Sequence, residues 1–342
     1  MQRRTRMAAT SVDETRNLYM DFLKGIAIIS VIVGHTFSDI RNMDTLFNLI
    51  YSFHMPLLFF VSAYIEEQNR AKYAKKEGKM LLRRMSGLLL PYLSWTIIWT
   101  ALSGHLWETG IRGLLSELFG YGSNGLWFFP VLFGLKVVHA LYWIICSKIS
   151  KDRVIMDLLL LGGFEIVIAL LAALTRQPYI VNMLSYAIPY FFAVILVKHE
   201  VIRKLTNSEW FVAGAVLAYV LVFPYFSFYD TRWITQVIRI GLSLCIIVLC
   251  CKFIDCKGNG NENQLGMNRF YPAICVCGEN SLAIYVLHGF FIDYKGYFDK
   301  IDSAFLMGAL SIALALLVAA VCIVIAKVIG ISTWWRKILF GK

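Results

Sequence analysis

Tyr19-Met-Asp-Phe-Leu-Lys-Gly-Ile-Ala-Ile-Ile-Ser-Val-Ile-Val-Gly-His35 decides the fold. The run 18–38 that contains it is long enough to cross a bilayer, which takes about 20 largely apolar residues, yet it carries Asp21, Lys24 and His35. Eleven helical steps separate Lys24 from His35, a rotation of about 1,100° that leaves them roughly 20° apart on the helix circumference. Asp21 falls within about 40° of His35. The three share one stripe, and that stripe belongs in a protein interior or a water-filled cavity, because ionisable side chains facing lipid are costly. Asp21 and Lys24, three residues apart, are spaced to pair. His35 lies about 16 Å further along the axis.

Working outward, the same apolar character recurs along the chain. The 342 residues are 58% hydrophobic and only 16% charged, against about 25% charge in a typical soluble domain. Ten apolar runs stand out, approximately 18–38, 46–65, 86–102, 126–146, 154–174, 181–197, 210–229, 234–254, 272–293 and 304–329. The expected fold is therefore all-α: a polytopic membrane protein of about ten transmembrane helices. Residues 1–17 form an N-terminal segment, 18–330 the transmembrane domain and 331–342 a C-terminal tail.

Orientation follows from Lys and Arg in the connections. Twenty-four of the 33 lie on one side: in the N-terminal segment, in the connections after the second, fourth, sixth and eighth runs, and at the C-terminal end. Six lie on the other side and three within the runs. Both termini are expected in the cytoplasm, and the protein in the cell (inner, cytoplasmic) membrane. The net charge of +11 does not signal nucleic-acid binding, since the basic residues form no single stripe or aromatic-interleaved patch. The eight cysteines sit mostly in apolar runs or at their cytoplasmic ends and complete no metal-binding spacing. No metal is expected, and no cleavable signal sequence precedes the first run.

Other polar groups mark candidate sites. The second run contains Ser52-Phe-His54-Met-Pro56, where a proline beside a histidine suits a site-lining segment. The ninth is interrupted by Gly278-Glu279-Asn280-Ser281, followed by Tyr285 and His288. Broken polar stretches are tolerated at membrane depth where they line protein or a cavity. Lys136, His139, Glu165 and Arg239 are read mainly as structural ion pairs, with Glu165 as the counter-charge for Lys136 or Arg239. Interfacial anchoring by Asp21 and Lys24 and helix packing by His35 are the structural alternatives at the first run. An imidazole there suits proton transfer near neutral pH. No serine-hydrolase elbow, phosphate-binding loop or zinc-protease motif occurs.

Taken together, Asp21-Phe-Leu-Lys-Gly25 leading to Gly34-His35, Phe53-His54-Met-Pro56-Leu-Leu-Phe-Phe, Leu90-Pro91-Tyr92, Leu126-Trp127-Phe128-Phe129 and Ser281-Leu-Ala-Ile-Tyr285-Val-Leu-His288 resemble the acyltransferase-3 family of membrane acyltransferases, close to its fucose 4-O-acetylase-like branch. The likeness covers roughly residues 16–330. The family's basic residue, ten intervening positions and His are kept by Lys24 and His35. Its Arg-x-x-Arg pair is not: Arg83 and Arg84 are adjacent, and Gly87 stands where the second basic residue is expected. The chain also ends without the extracytoplasmic domain of many members, as a standalone form would. The resemblance implies transfer of an acyl group, usually acetyl, from cytoplasmic acetyl-CoA to a hydroxyl of a cell-surface or exported carbohydrate. His35 would act as general base or carry the acyl group, with Asp21 and Lys24 setting its environment. Arg83, Arg84 and nearby lysines would meet the CoA phosphates, and Trp127 and His288 would line the acceptor end. A transporter or flippase for a glycan or lipid-linked substrate is the competing class; it often shows inverted internal repeats, and none is visible. The acceptor sugar and the oligomeric state are not legible.

Overall fold

The computed structural model describes residues 18–37, 44–70, 77–120, 125–148, 154–230, 232–258, 270–292 and 303–341, and all regular structure among them is helical. The helices are α1 (Leu18–Phe37), α2 (Asp44–Gln68), α3 (Glu77–Leu102), α4 (His105–Thr109), α5 (Ile111–Phe119), α6 (Phe128–Cys146), α7 (Val154–Thr175) and α8 (Pro178–Lys198). They continue with α9 (Glu200–Thr206), α10 (Glu209–Val222), α11 (Trp233–Gly258), α12 (Phe270–Glu279), α13 (Ser281–Leu287), α14 (Ala304–Ile329) and α15 (Thr333–Phe340). Single 3₁₀ turns follow α10 and α13.

Among the described residues, seven helices are long and apolar enough to cross a membrane. Two bent pairs bring this to nine: α9 with α10, bent by 61°, and α12 with α13, bent by 70°. The shorter apolar stretch Ser86–Leu102 of α3 is the tenth segment. Helices suit such runs because the bilayer core offers no water to satisfy backbone N–H and C=O groups. The protein is accordingly a multi-pass membrane protein, and each of the ten expected runs falls largely within helix. The 70° bend sits at Asn280, in the polar interruption of the ninth run.

Burial separates central from peripheral helices. In α2, 61% of the apolar window is buried, against 17% in α7. α1 and α2 pack against each other, with α12 and α14 on α1 and with α8 and α11 on α2. α7 and α10 present Leu159, Leu170, Leu174, Leu217 and Leu221 outward, as a lipid-facing surface requires.

The α1–α12 seam is set by glycine. A Cβ at Gly278 would fall on the Asp21 carbonyl, 2.6 Å from its carbon and 2.9 Å from the Gly25 nitrogen. A Cβ at Gly25 would fall on the Ile274 carbonyl, 2.8 Å from its carbon. Small residues at both crossing points let the two backbones touch.

Residues 331–342 contain the short helix α15, which docks on α3. Trp95 Nε1 donates to Leu339 O at 2.8 Å, and Leu339 and Phe340 are buried. Gly341 has φ 68° and crosses over Gly87, where a Cβ would sit 2.8 Å from the Gly87 carbonyl carbon. At Gly87 itself a Cβ would meet only Gly341 O, at 3.5 Å, an ordinary contact, so the crossing requires glycine at 341 and does not account for the absence of a basic side chain at 87.

The ion pairs inside the bundle differ in part from expectation. Lys136 pairs with Glu66, and His139 Nε2 lies 3.0 Å from Glu67, which also accepts from Trp143 Nε1 at 3.0 Å. Glu165 is not the counter-charge of Lys136 or Arg239: its Oε2 is buried without a partner among the described residues. The reading failed because α2 continues through Gln68, which brings Glu66 and Glu67 into the bundle beyond the apolar run.

Candidate active site

A cavity of about 520 Å³ opens at one end of the bundle, within the size range of small-molecule sites. Its walls come from the ends of α1 and α3, the early turns of α2, α8 and α11, Gly125 and Trp127 just before α6, Phe228, and the segment from Tyr285 to Ile292. Three histidines line it: His35 from α1, His54 from α2 and His288 from the turn after α13. The His35 and His288 ring centroids are 5.4 Å apart.

The three imidazoles are held differently. His54 is buried, and its Nδ1 lies 2.7 Å from Ile50 O, one helical turn back. His288 is also buried, with Nδ1 2.6 Å from Tyr285 O and 3.1 Å from Ile284 O. A carbonyl oxygen only accepts, so Nδ1 carries the proton in both rings and Nε2 keeps the lone pair when they are neutral. His35 is exposed, and since it lines the cavity it is the imidazole most accessible to a substrate there. The 70° break matters here, because it lets α13 turn His288 and Tyr285 into a wall that α12 continued straight would not form.

Aromatic side chains supply most of the remaining wall. Trp127 stacks on Tyr186 at 5.4 Å, and Tyr186 stacks on Phe59 at 4.6 Å. Tyr285 donates its hydroxyl hydrogen to Gly125 O at 2.5 Å, fixing the entry to α6 next to Trp127. Tyr51 meets His54 edge-on at 4.7 Å. Phe228 closes one side, held by its backbone N–H donating to Asn48 Oδ1 at 3.0 Å. Just beyond it, Arg232 donates to Asp230 at 2.6 Å and holds that carboxyl well below the usual carboxylate range.

Of the residues singled out in the sequence, the cavity brings together His35, His54, Trp127, Tyr285 and His288. It does not include Asp21, Lys24 or Glu279. Asp21 is buried at the start of α1, with Lys24 Nζ 3.5 Å from its carboxylate, and Glu279 is exposed at the break. The side chains of Arg83 and Arg84 lie outside the described residues. Arg239, Tyr51, Asn182, Tyr186, Trp99 and Phe228 line the cavity without having been singled out as site residues. The only signal for Arg239 was its charge within an apolar run. No group of three or more His, Cys, Asp or Glu side chains among the described residues is arranged to hold a metal ion.

A multi-spanning helical bundle with a histidine-ringed, aromatic-walled cavity defines a membrane protein with an internal polar site. Residues 17–328 match the family model described as Acyltransferase domain, and the chain belongs to that family. Among curated proteins it is 38% identical over 93 residues to the nodulation protein NolL of Mesorhizobium japonicum, covering 25% of this chain and 24% of that one. It is 28% identical over 195 residues to the nodulation protein NolL of Sinorhizobium fredii, covering 52% of this chain and 47% of that one. The matched part thus spans about half or less of the length of these relatives. No solved structure gave a significant match.

Proposed function

We propose that the chain is a membrane O-acetyltransferase of the cytoplasmic membrane, with both termini in the cytoplasm. It moves an acetyl group from cytoplasmic acetyl-CoA to a hydroxyl of a cell-surface or exported carbohydrate. The observation that carries this reading is the convergence of His35 and His54, from successive helices, with His288, more than 200 residues later, on one aromatic-walled cavity, with His35 exposed to it. The cavity lies at the end of the bundle whose connections are poor in Lys and Arg, the outer end by the positive-inside rule.

His35 acts on the acceptor. Its neutral imidazole takes the hydroxyl proton as the oxygen attacks the thioester carbonyl carbon; the carbon–sulfur bond breaks, and the CoA thiolate leaves and takes up the proton. His288, close beside His35, offers its Nε2 lone pair to a second acceptor hydroxyl. Trp127 and Tyr186 present flat faces to a sugar ring. The Asp21–Lys24 pair lies at the opposite, cytoplasmic end of α1, where the donor enters, and Arg83, Arg84 and nearby lysines contact the CoA phosphates through charge-assisted bonds.

The test is transfer. Protein purified in detergent is given acetyl-CoA labelled in the acetyl group and a panel of mono- and oligosaccharides. Label should appear on carbohydrate as an alkali-labile ester, matched by release of CoA thiol. Absence of transfer by well-folded protein across the panel, and of acetyl ester on the envelope carbohydrate of cells making it, would overturn the proposal.

A further inference from the structure

Arg239 is the unusual member of the cavity. As the seventh residue of α11 it lies about 9 Å along the helix from its start, at a depth where a charge is costly unless it is matched. Two other cations within the apolar runs are matched: Lys24 by Asp21 and Lys136 by Glu66. Among the described residues no carboxylate lies within 4.0 Å of Arg239. Its guanidinium instead stands 5.6 Å from the ring centre of Tyr186 while lining the cavity. A cation held against a ring face still has its in-plane N–H donors to satisfy.

An unpaired guanidinium and a lining without any carboxylate among the described residues make the cavity complementary to a ligand carrying negative charge. Tyr186 touches both the Arg239 guanidinium and Trp127, so a sugar lying on Trp127 has the cation beside it. Arg239 lines the same cavity as His35, His54 and His288, so a group bound to the guanidinium shares that cavity with the histidines.

We propose that Arg239 is the acceptor-recognition residue and that the acceptor carbohydrate carries an anionic group, a carboxylate or a phosphate, which the guanidinium binds. The proposal rests on the acyl-transfer reading only in calling this ligand the acceptor. Arg in particular fits, because its planar fork binds both kinds of oxyanion through paired bonds.

The test measures binding without any acyl donor. Tryptophan fluorescence of the detergent-purified full chain is titrated with glucose, glucuronate and glucose 1-phosphate, with Trp127 and Trp99 as reporters in the wall. At least one anionic sugar should bind about tenfold or more tightly than glucose, the effect of charge-assisted hydrogen bonds. The anion preferred identifies the group as carboxylate or phosphate. Arg239→Gln should erase that advantage while leaving glucose affinity within about twofold, and Arg239→Lys should retain part of it. Equal binding of all three sugars by the wild type overturns the proposal, and so does an advantage that survives Arg239→Gln. Loss of transfer in Arg239→Gln with sugar binding unchanged also overturns it, in favour of a role in stabilising the reacting oxyanion. If Arg239→Gln does not fold, the wild-type comparison decides alone. Anion-selective binding with no acyl transfer would sink the transfer reading and leave this one standing; transfer with no anion selectivity would do the reverse.

Discussion

Gly278→Ala should destabilise the protein through one methyl group. The added Cβ would sit 2.6 Å from the Asp21 carbonyl carbon, where ordinary contacts run 3.4–4 Å. The neighbours are backbone atoms of α1, so no side chain can swing aside. Relief requires α1 and α12 to separate by at least about 0.8 Å, the difference between those contact distances. Overpacking of this kind costs about 1–3 kcal/mol, and with about 2–4 °C of Tm per kcal/mol in chains of 150–250 residues the loss is about 2–12 °C. Gly25→Ala, on the facing side of the seam, should behave alike. Gly214→Ala in α10 is the control, since nothing lies within 4 Å of its Cβ position and alanine favours helix. Thermal melts of purified protein followed by intrinsic fluorescence check this. A Tm for Gly278→Ala no lower than that of Gly214→Ala would refute the backbone-contact account of the seam.

Three further outcomes are expected. Reporter fusions should place residues 66–85 and both termini in the cytoplasm and residues 103–125 outside; an external signal from 66–85 would reverse the orientation. Arg83→Ala with Arg84→Ala should raise KM for acetyl-CoA far more than KM for the acceptor, and the wild-type KM for the donor should rise with salt as exposed charges are screened; no change in either would leave the cluster a topology signal only. Lys136→Met should cost about 3–5 kcal/mol by removing the cation paired with Glu66 inside the bundle, with the Lys136→Met, Glu66→Leu double variant recovering most of it in melts; equal stability of single and double variants would show the pair to be uncoupled.

The fold was legible because bilayer crossing leaves a compositional mark that each span carries by itself. Even the break in the ninth run was written locally, in Gly278 to Ser281. The site was legible residue by residue but not as an arrangement. His35, His54 and His288 each stood out as ionisable groups at membrane depth, yet their meeting depends on packing between helices more than 200 residues apart in sequence. Arg239 was misread because the sequence shows a charge inside a run but not whether a carboxylate faces it. Glu66 and Glu67 were missed as partners because they follow the apolar run and read as loop, whereas α2 extends past them. Tyr186 and Trp99 gave no signal, since aromatic residues are common throughout the spans and only the cavity distinguishes these two.

The central claim, that His35 is the group that acts on the acceptor, is tested most directly by the acetyl ester on envelope carbohydrate. This is measured in cells making equal amounts of wild type, His35→Ala, His54→Ala, His288→Ala or Lys24→Ala. A general base contributes about 10²–10⁴-fold, so His35→Ala should lose nearly all transfer while inserting normally, because the change removes a polar group from a span. His54→Ala and His288→Ala should lose less, their Nδ1 atoms being committed to backbone carbonyls. Lys24→Ala should be strongly impaired, through the donor end of α1. Near-wild-type acetyl ester in cells making folded His35→Ala would contradict the account.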